Sequence, residues 1–285
     1  MKSNQISPQD NKFLQILTNI ANAPKTLHYI GTPPAERAPT VAIVGTRKPT
    51  AYGKEVTTRF AGELAQKGVV IVSGLALGVD GLAHTAALEA NGTTVAVLGN
   101  GLPDIYPASH RGLAERIVRQ GGALFSEYKP HEKARPHYFL ERNRIVSGLA
   151  DAVIITEAAA RSGTLNTAMH ALEQGKEVFV VPGPITSPMS AGCNQLLKQG
   201  AAPIVCIEDV LEIIAPDLLR PQARLPLGNT PLETSVIQLI SKGVRDGDEL
   251  QRTLGCSATD LSVALTMLEV AGAIRALGGN QWTLR

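Results

Sequence analysis

Cysteine is scarce in this chain of 285 residues: Cys193, Cys206 and Cys256 stand far apart, match no CxxC spacing and cannot all pair. Neither a zinc site nor a disulfide framework is indicated, and a reducing cytoplasm suits such a protein. Charge of one sign is also missing, since Lys and Arg number 27 against 25 Asp and Glu. A global basic field therefore cannot draw the protein to a polyanion, and any such site must be a local patch. No apolar run approaches the roughly 20 residues that span a bilayer, and the start is polar through Asn11 rather than charged and then apolar. Aromatics are sparse at 4%, so each ring near a functional loop carries weight.

What is present is 44% hydrophobic residues and 27 glycines, enough for one ordinary core and a small second domain. Residues 1–40 read as a lead-in with one short helix, Lys12 to Ile20, and a stretch bearing Pro33, Pro34 and Pro39. From there to residue 215 short apolar runs recur: Val41 to Val44, Val69 to Val72, Thr94 to Leu98, Ala152 to Thr156 and Val178 to Val181. Segments of helical period lie between them, at Gly53 to Gln66, Val79 to Glu89, Ser109 to Arg119 and Thr164 to Gln174. Alternation of buried strands with helices predicts an α/β doubly wound, mostly parallel sheet with its functional loops at the carboxyl ends of the strands.

Residues 216–228, with Pro216, Pro221 and Pro226, read as a linker. In residues 229–285, helical stripes at Thr234 to Ile240, Gly247 to Leu254 and Ala258 to Ala271 precede two short strands around Gly278-Gly279, the pattern of a winged helix. Five cations there, Lys242, Arg245, Arg252, Arg275 and Arg285, face six carboxylates. A duplex reader needs a cationic face, so a protein contact or weak DNA role is expected instead.

Three strand-to-helix turns suit an anion. Gly45-Thr46-Arg47 lacks the G-x-G-x-x-G of a dinucleotide site but offers amides, a hydroxyl and a fixed cation. Ser73-Gly74 opens a Gly-rich turn to Asp80, and Ser162-Gly163-Thr164 occupies a helix start. All three should share one rim of the sheet. Asp80 and His84, four residues apart, could hold a metal or base, but the expected role is structural, with Asp80 in a first helical turn bonding or orienting His84. No metal or cofactor is called for.

Residues 129–144 interleave Lys129, Lys133, Arg135, Arg142 and Arg144 with His137, Tyr138 and Phe139 in a loop leading into a helix. Rings beside guanidiniums suggest stacked, unpaired bases with their phosphates held nearby. The alternative is a core anchor at Phe139 and a solvated arginine face.

These motifs resemble the bacterial DNA-processing protein A family (DprA, also Smf), through Val44-Gly45-Thr46-Arg47, Ser73 to Asp80 with Ala83-His84, Phe139 with Arg142-Asn143-Arg144, and Arg161-Ser162-Gly163-Thr164. The resemblance implies a Rossmann-like domain that binds single-stranded DNA without catalysis, dimerises, protects incoming DNA and helps load the recombinase RecA in natural transformation. By position, Arg47 grips phosphate, Phe139 stacks a base, Arg142 and Arg144 line the groove, and Ser162 to Thr164 donate to phosphates. The family's lysine three residues before the phenylalanine is Pro136 here, and Arg135 stands one position away as its substitute. The rival is a nucleotide sensor or a phosphoribohydrolase-like enzyme, whose Gly-Thr-x-x-Glu turn needs a carboxylate where this chain has Thr167.

Overall fold

The structure is a computed structural model, describing residues 3–219, 228 and 230–284. It divides into two compact units, Met1–Leu219 and Arg220–Arg285. The first is built on a nine-stranded sheet. Its strands are β1 (Asn4–Ile6), β2 (Leu27–Gly31), β3 (Thr40–Val44), β4 (Val70–Ser73), β5 (Thr94–Leu98), β6 (Ala123–Ser126), β7 (Ala152–Ile155), β8 (Glu177–Val180) and β9 (Ala202–Pro203). All but the first two run parallel, in the order β6-β5-β4-β3-β7-β8-β9. Every residue of β3, β4, β5, β6 and β7 is buried, which is why their sequences are continuous apolar runs rather than alternating ones.

Helices cover both faces. Against one pack α1 (Ala51–Gln66), α2 (Val79–Glu89) and α7 (Glu208–Ile214), around Ile43, Phe60, Leu64 and Ile71. Against the other pack α4 (Pro136–Leu149), α5 (Thr164–Glu173) and α6 (Ala191–Lys198), around Val72, Val97, Phe125 and Leu149. A third cluster joins α3 (Arg111–Arg119) to β5 and β6 through Ile117, Leu98 and Leu124. The chain lays β4, β5 and β6 to one side of β3 and β7, β8 and β9 to the other. The carboxyl ends of β3 and β7 thus flank a topological switch point, where sheets of this kind leave a crevice.

Three local expectations are corrected. The first forty residues are part of the sheet: β2 pairs antiparallel with β6, and β1 with β2. In place of a Lys12 to Ile20 helix there is a 3-10 turn at Gln15–Asn19, which inserts Leu17 into the core beside Phe13 and Leu14. The segment carrying Tyr138 to Arg144 is helix, not loop, because Pro136 at its first position already has the required φ and Arg135 before it is extended.

The second unit holds α8 (Pro231–Ser241), α9 (Gly247–Leu254), α10 (Ala258–Val270) and the hairpin β10 (Ile274–Gly278) with β11 (Gln281–Leu284), a winged helix around Val236, Leu250, Leu265 and Ile274. Side chains of Thr230, Asp246 and Ser257 cap the three helices. Residues 220–227 of the expected linker, and Arg285, lie outside the described residues. No helix among the described residues is long and apolar enough to cross a membrane.

Candidate nucleic-acid interface

The loop between β3 and α1 is held from behind. The Thr46 amide donates to the Glu157 carbonyl at 2.8 Å, and the Thr46 carbonyl accepts from Val79 at 3.1 Å. Gly78, at φ 80°, allows this approach: a Cβ there would strike the Thr46 carbonyl and the Arg47 backbone. The Arg47 side chain is thereby presented outward, exposed and without a carboxylate partner among the described residues. The start of α1 is not open to a ligand. Glu157 fills it, accepting from the Thr50 amide at 2.8 Å and the Thr50 hydroxyl at 2.7 Å, so the chain's own carboxylate occupies the place a dinucleotide pyrophosphate takes in a Rossmann fold.

Helix α4 crosses the crevice. At 3.6 residues per turn Phe139, Arg142 and Asn143 share a face, and that face meets the β3–α1 loop. The Phe139 ring lies over Gly99, at the end of β5, with the Arg47 guanidinium 5.7 Å from its centroid. Asn143 is tied to α5 through a 3.1 Å bond to Asn166. On the far side, the Ser162 hydroxyl takes the Thr164 amide at 3.2 Å and bonds the Thr164 hydroxyl at 2.9 Å. Gly163 lines the same space, and its amide has no intramolecular partner among the described residues. The result is a cleft of about 470 Å³ lined from four segments: the β3–α1 loop, the β4–α2 turn with the start of α2, α4, and the β7–α5 loop with the start of α5.

Of the residues singled out in the sequence, Gly45, Thr46, Arg47, Phe139, Arg142, Asn143, Ser162, Gly163 and Thr164 line this one cleft. Four others do not. Ser73 is wholly buried and donates to the Ile43 carbonyl. Gly74 lies behind the wall, its carbonyl accepting from Arg142 at 2.6 Å. Arg135 sits 5.5 Å over the Tyr138 ring, whose other face stacks on Tyr128 at 4.0 Å. Tyr138 is therefore closed to a base. Arg144, one position past the cleft-facing pair, points to Glu127 and makes two 2.8 Å bonds with its carboxylate. It does not line the groove.

Arg142 lines it from within. The side chain is only 5% exposed and donates to the carbonyls of Gly74 and Val97, tying together the ends of β4 and β5. Asp80 faces it; burial pushes the Asp80 carboxyl up, while Arg142 and the Ala76 and Gly74 amides pull it down. His84 does not meet Asp80, contrary to the sequence reading. Its Nδ1 bonds Thr94 Oγ1 at 2.7 Å; since that hydroxyl donates to the Ile71 carbonyl, Nδ1 is the donor. Burial holds the ring neutral, with a pKa lowered to about 3. Among the described residues no group of three His, Cys, Asp or Glu could hold a metal.

Two contributors lacked an assigned role. Arg161 is exposed on the cleft margin with no carboxylate partner among the described residues. Tyr106 is 51% exposed and its ring centroid lies 5.5 Å from that of Phe139. No periodicity marks Tyr106, because its place depends on the turn that precedes α3.

A doubly wound sheet whose switch-point cleft is lined by Arg47, Arg161 and the half-buried Phe139, with its nucleotide corner closed by Glu157, defines a Rossmann-like protein without a dinucleotide site. The family model for DNA recombination-mediator protein A matches residues 4–215 and that for the DprA winged helix domain matches residues 220–280, and the chain belongs to this family. A DprA protein of Mycobacterium tuberculosis (strain H37Rv) is 41% identical over 250 residues, aligned with 86% of this chain and 64% of its own, so the chain spans less than two thirds of that relative. The X-ray structure of DNA processing protein A from Streptococcus pneumoniae superposes with a TM-score of 0.67 at 36% identity, covering 75% of each chain. The structure of DNA processing protein A from Helicobacter pylori, determined to explain that protein's single-stranded DNA binding mode, gives 0.66 at 34% identity over 76% of this chain and 97% of that one.

Proposed function

We propose that this protein binds single-stranded DNA without reacting with it and acts as a recombination mediator. The observation that carries this reading is the Arg47–Phe139 pair at the mouth of a cleft whose other wall offers the Gly163 amide and Arg161. Phosphates are held by Arg47, Arg161 and the Ser162-Gly163-Thr164 helix start, and a base stacks on Phe139 with Tyr106 beside it. A shallow cleft reached from the side accepts unpaired bases, whereas a duplex keeps its ring faces stacked and hidden. The proposal extends to a homodimer that lengthens the track on one strand, to delivery of that strand to RecA in the cytoplasm during natural transformation, and to a winged helix that contacts protein.

The test is a titration of full-length protein against an oligothymidylate and a duplex of equal length. Tighter binding to the single strand, with affinity falling steeply as salt rises, is expected. Equal binding to both, or release of free base from a nucleoside monophosphate, overturns the reading. Light scattering reports the dimer, and RecA-driven strand exchange on strands coated with single-strand-binding protein reports the loading step.

A further inference from the structure

A second cleft, of about 890 Å³, lies on the other side of Arg47 from the one described. Three separate elements line it with cations: Lys48 in the β3–α1 loop, Lys54 in the first turn of α1, and Arg116 and Arg119 on α3. Arg47 borders both clefts. Glu115 is the one carboxylate that lines this second cleft, and none of these cations forms an ion pair among the described residues. The situation differs at Arg144, Arg37 and Arg59, each of which holds a carboxylate. Five cations gathered in a concavity with a single carboxylate among them repel one another, so the arrangement is stabilised by an anion that spans it.

We infer that this cleft, built by α1 and α3 around Lys54, Arg116 and Arg119, is a second binding track that takes the sugar-phosphate backbone of the same strand as it leaves Phe139. The inference rests on the single-strand reading above. Its build fits a polymer rather than a free phosphate, because the cations come from three separate elements along one open cleft. Its continuity with the base-stacking cleft at Arg47 favours a polynucleotide over an acidic protein segment. The half-exposed Leu77 side chain on its wall offers apolar surface to a sugar or base. Together the two clefts give a strand a bent path around Arg47, with its bases read on one side and its charges on the other.

The experiment compares wild-type protein with the triple variant Lys54→Ala, Arg116→Ala, Arg119→Ala on two oligothymidylates, of about 4 and about 16 nucleotides, the range of single-strand site sizes. For the long strand the triple variant is expected to bind at least about tenfold more weakly at low salt and to lose about two units of the log–log salt slope, at about 0.7 per phosphate neutralised. For the short strand it is expected to match wild type, with an unchanged melting temperature showing that the variant is folded. An unchanged long-strand affinity and slope overturns the track and leaves the cleft to another polyanion, such as an acidic protein surface. An equal loss on both strands overturns it too, because the three cations then act inside the first cleft. Failure of the underlying reading is seen separately, as Arg47→Ala and Phe139→Ala proteins that bind the short strand as wild type does.

Discussion

The guanidinium carbon of Arg47 lies 5.7 Å from the centroid of the Phe139 ring, although one residue comes from the loop after β3 and the other from the first turns of α4. That is within cation–π range, so the guanidinium and the ring hold each other in place; in the proposed reading the first meets a phosphate and the second a base. A strand entering the cleft replaces part of this contact with its own. The two residues therefore differ in what they contribute: a charge in one case, a flat apolar surface in the other.

Substituting them separately exposes the difference. Arg47→Ala is expected to remove about 0.7 of a unit from the log–log dependence of oligothymidylate affinity on salt. Phe139→Ala is expected to leave that slope unchanged and to weaken binding by about 1–3 kcal/mol, the range for one stacked base. Fluorescence anisotropy titrations over a salt series measure both.

A similar contrast separates two arginines that sequence alone treats alike. Arg144 already has a bidentate carboxylate partner in Glu127, whereas Arg161 has none among the described residues. Arg161→Ala is expected to lower single-strand affinity and reduce the salt slope, and Arg144→Ala to change neither. A loss of slope in the Arg144 variant places that residue back in the groove.

These assignments also show which parts of the molecule can be read from sequence. β5 and α2 are legible to the residue because Thr94–Leu98 is buried on both faces and Gly78 ends the preceding turn. Helix α4 is not, since a buried arginine at position 142 interrupts its apolar stripe and Pro136 reads as a loop. β2 lies in a segment whose prolines suggest a lead-in, and only its pairing with β6 makes it a strand. The cleft is legible in outline because strand-to-helix turns of a parallel sheet must share a rim. Ser73 and Arg144 mislead because what withdraws them, the Ile43 carbonyl and Glu127, is a tertiary neighbour.

Arg142 belongs to the frame of the cleft more than to its grip. Its guanidinium joins the Gly74 and Val97 carbonyls beneath the surface, and a Cβ at Gly74 would collide with it. Removing a buried charged donor leaves Asp80 and two carbonyls without it. Arg142→Met is therefore expected to lower unfolding free energy by about 3–5 kcal/mol. Gly74→Ala should be destabilising in the same direction, and urea denaturation of both variants checks it.

The winged helix makes a different prediction. The exposed positions of α10, among them Asp260, Val263, Met267, Glu269 and Val270, include no cation. A recognition helix of that composition cannot neutralise phosphates. Truncation after Leu219, the end of the first compact unit, is expected to leave affinity for a single strand within about twofold, because every proposed phosphate contact lies in that unit. Loss of binding on truncation assigns the winged helix a direct DNA contact.

His84 supplies a pH signature of the folded core. The ring is wholly buried, donates through Nδ1 to Thr94, and leaves Nε2 without a partner, so protonation puts an unpaired charge in the interior. Burial first, and then the charges of His110 and Arg142, lower its pKa to about 3, against an ordinary value near 6.5. Between these values the unfolded chain binds a proton that the folded chain refuses. The stability associated with neutral His84 is therefore fully present above about pH 6.5 and is lost as pH falls toward 3, at up to about 1.4 kcal/mol per pH unit. His84→Gln cannot take up that proton. Urea unfolding of both proteins between pH 7 and 4 isolates the effect, since contributions from other groups cancel in the difference. Wild type is expected to lose stability more steeply than the variant as acid is added, and parallel curves refute a buried neutral imidazole at this position.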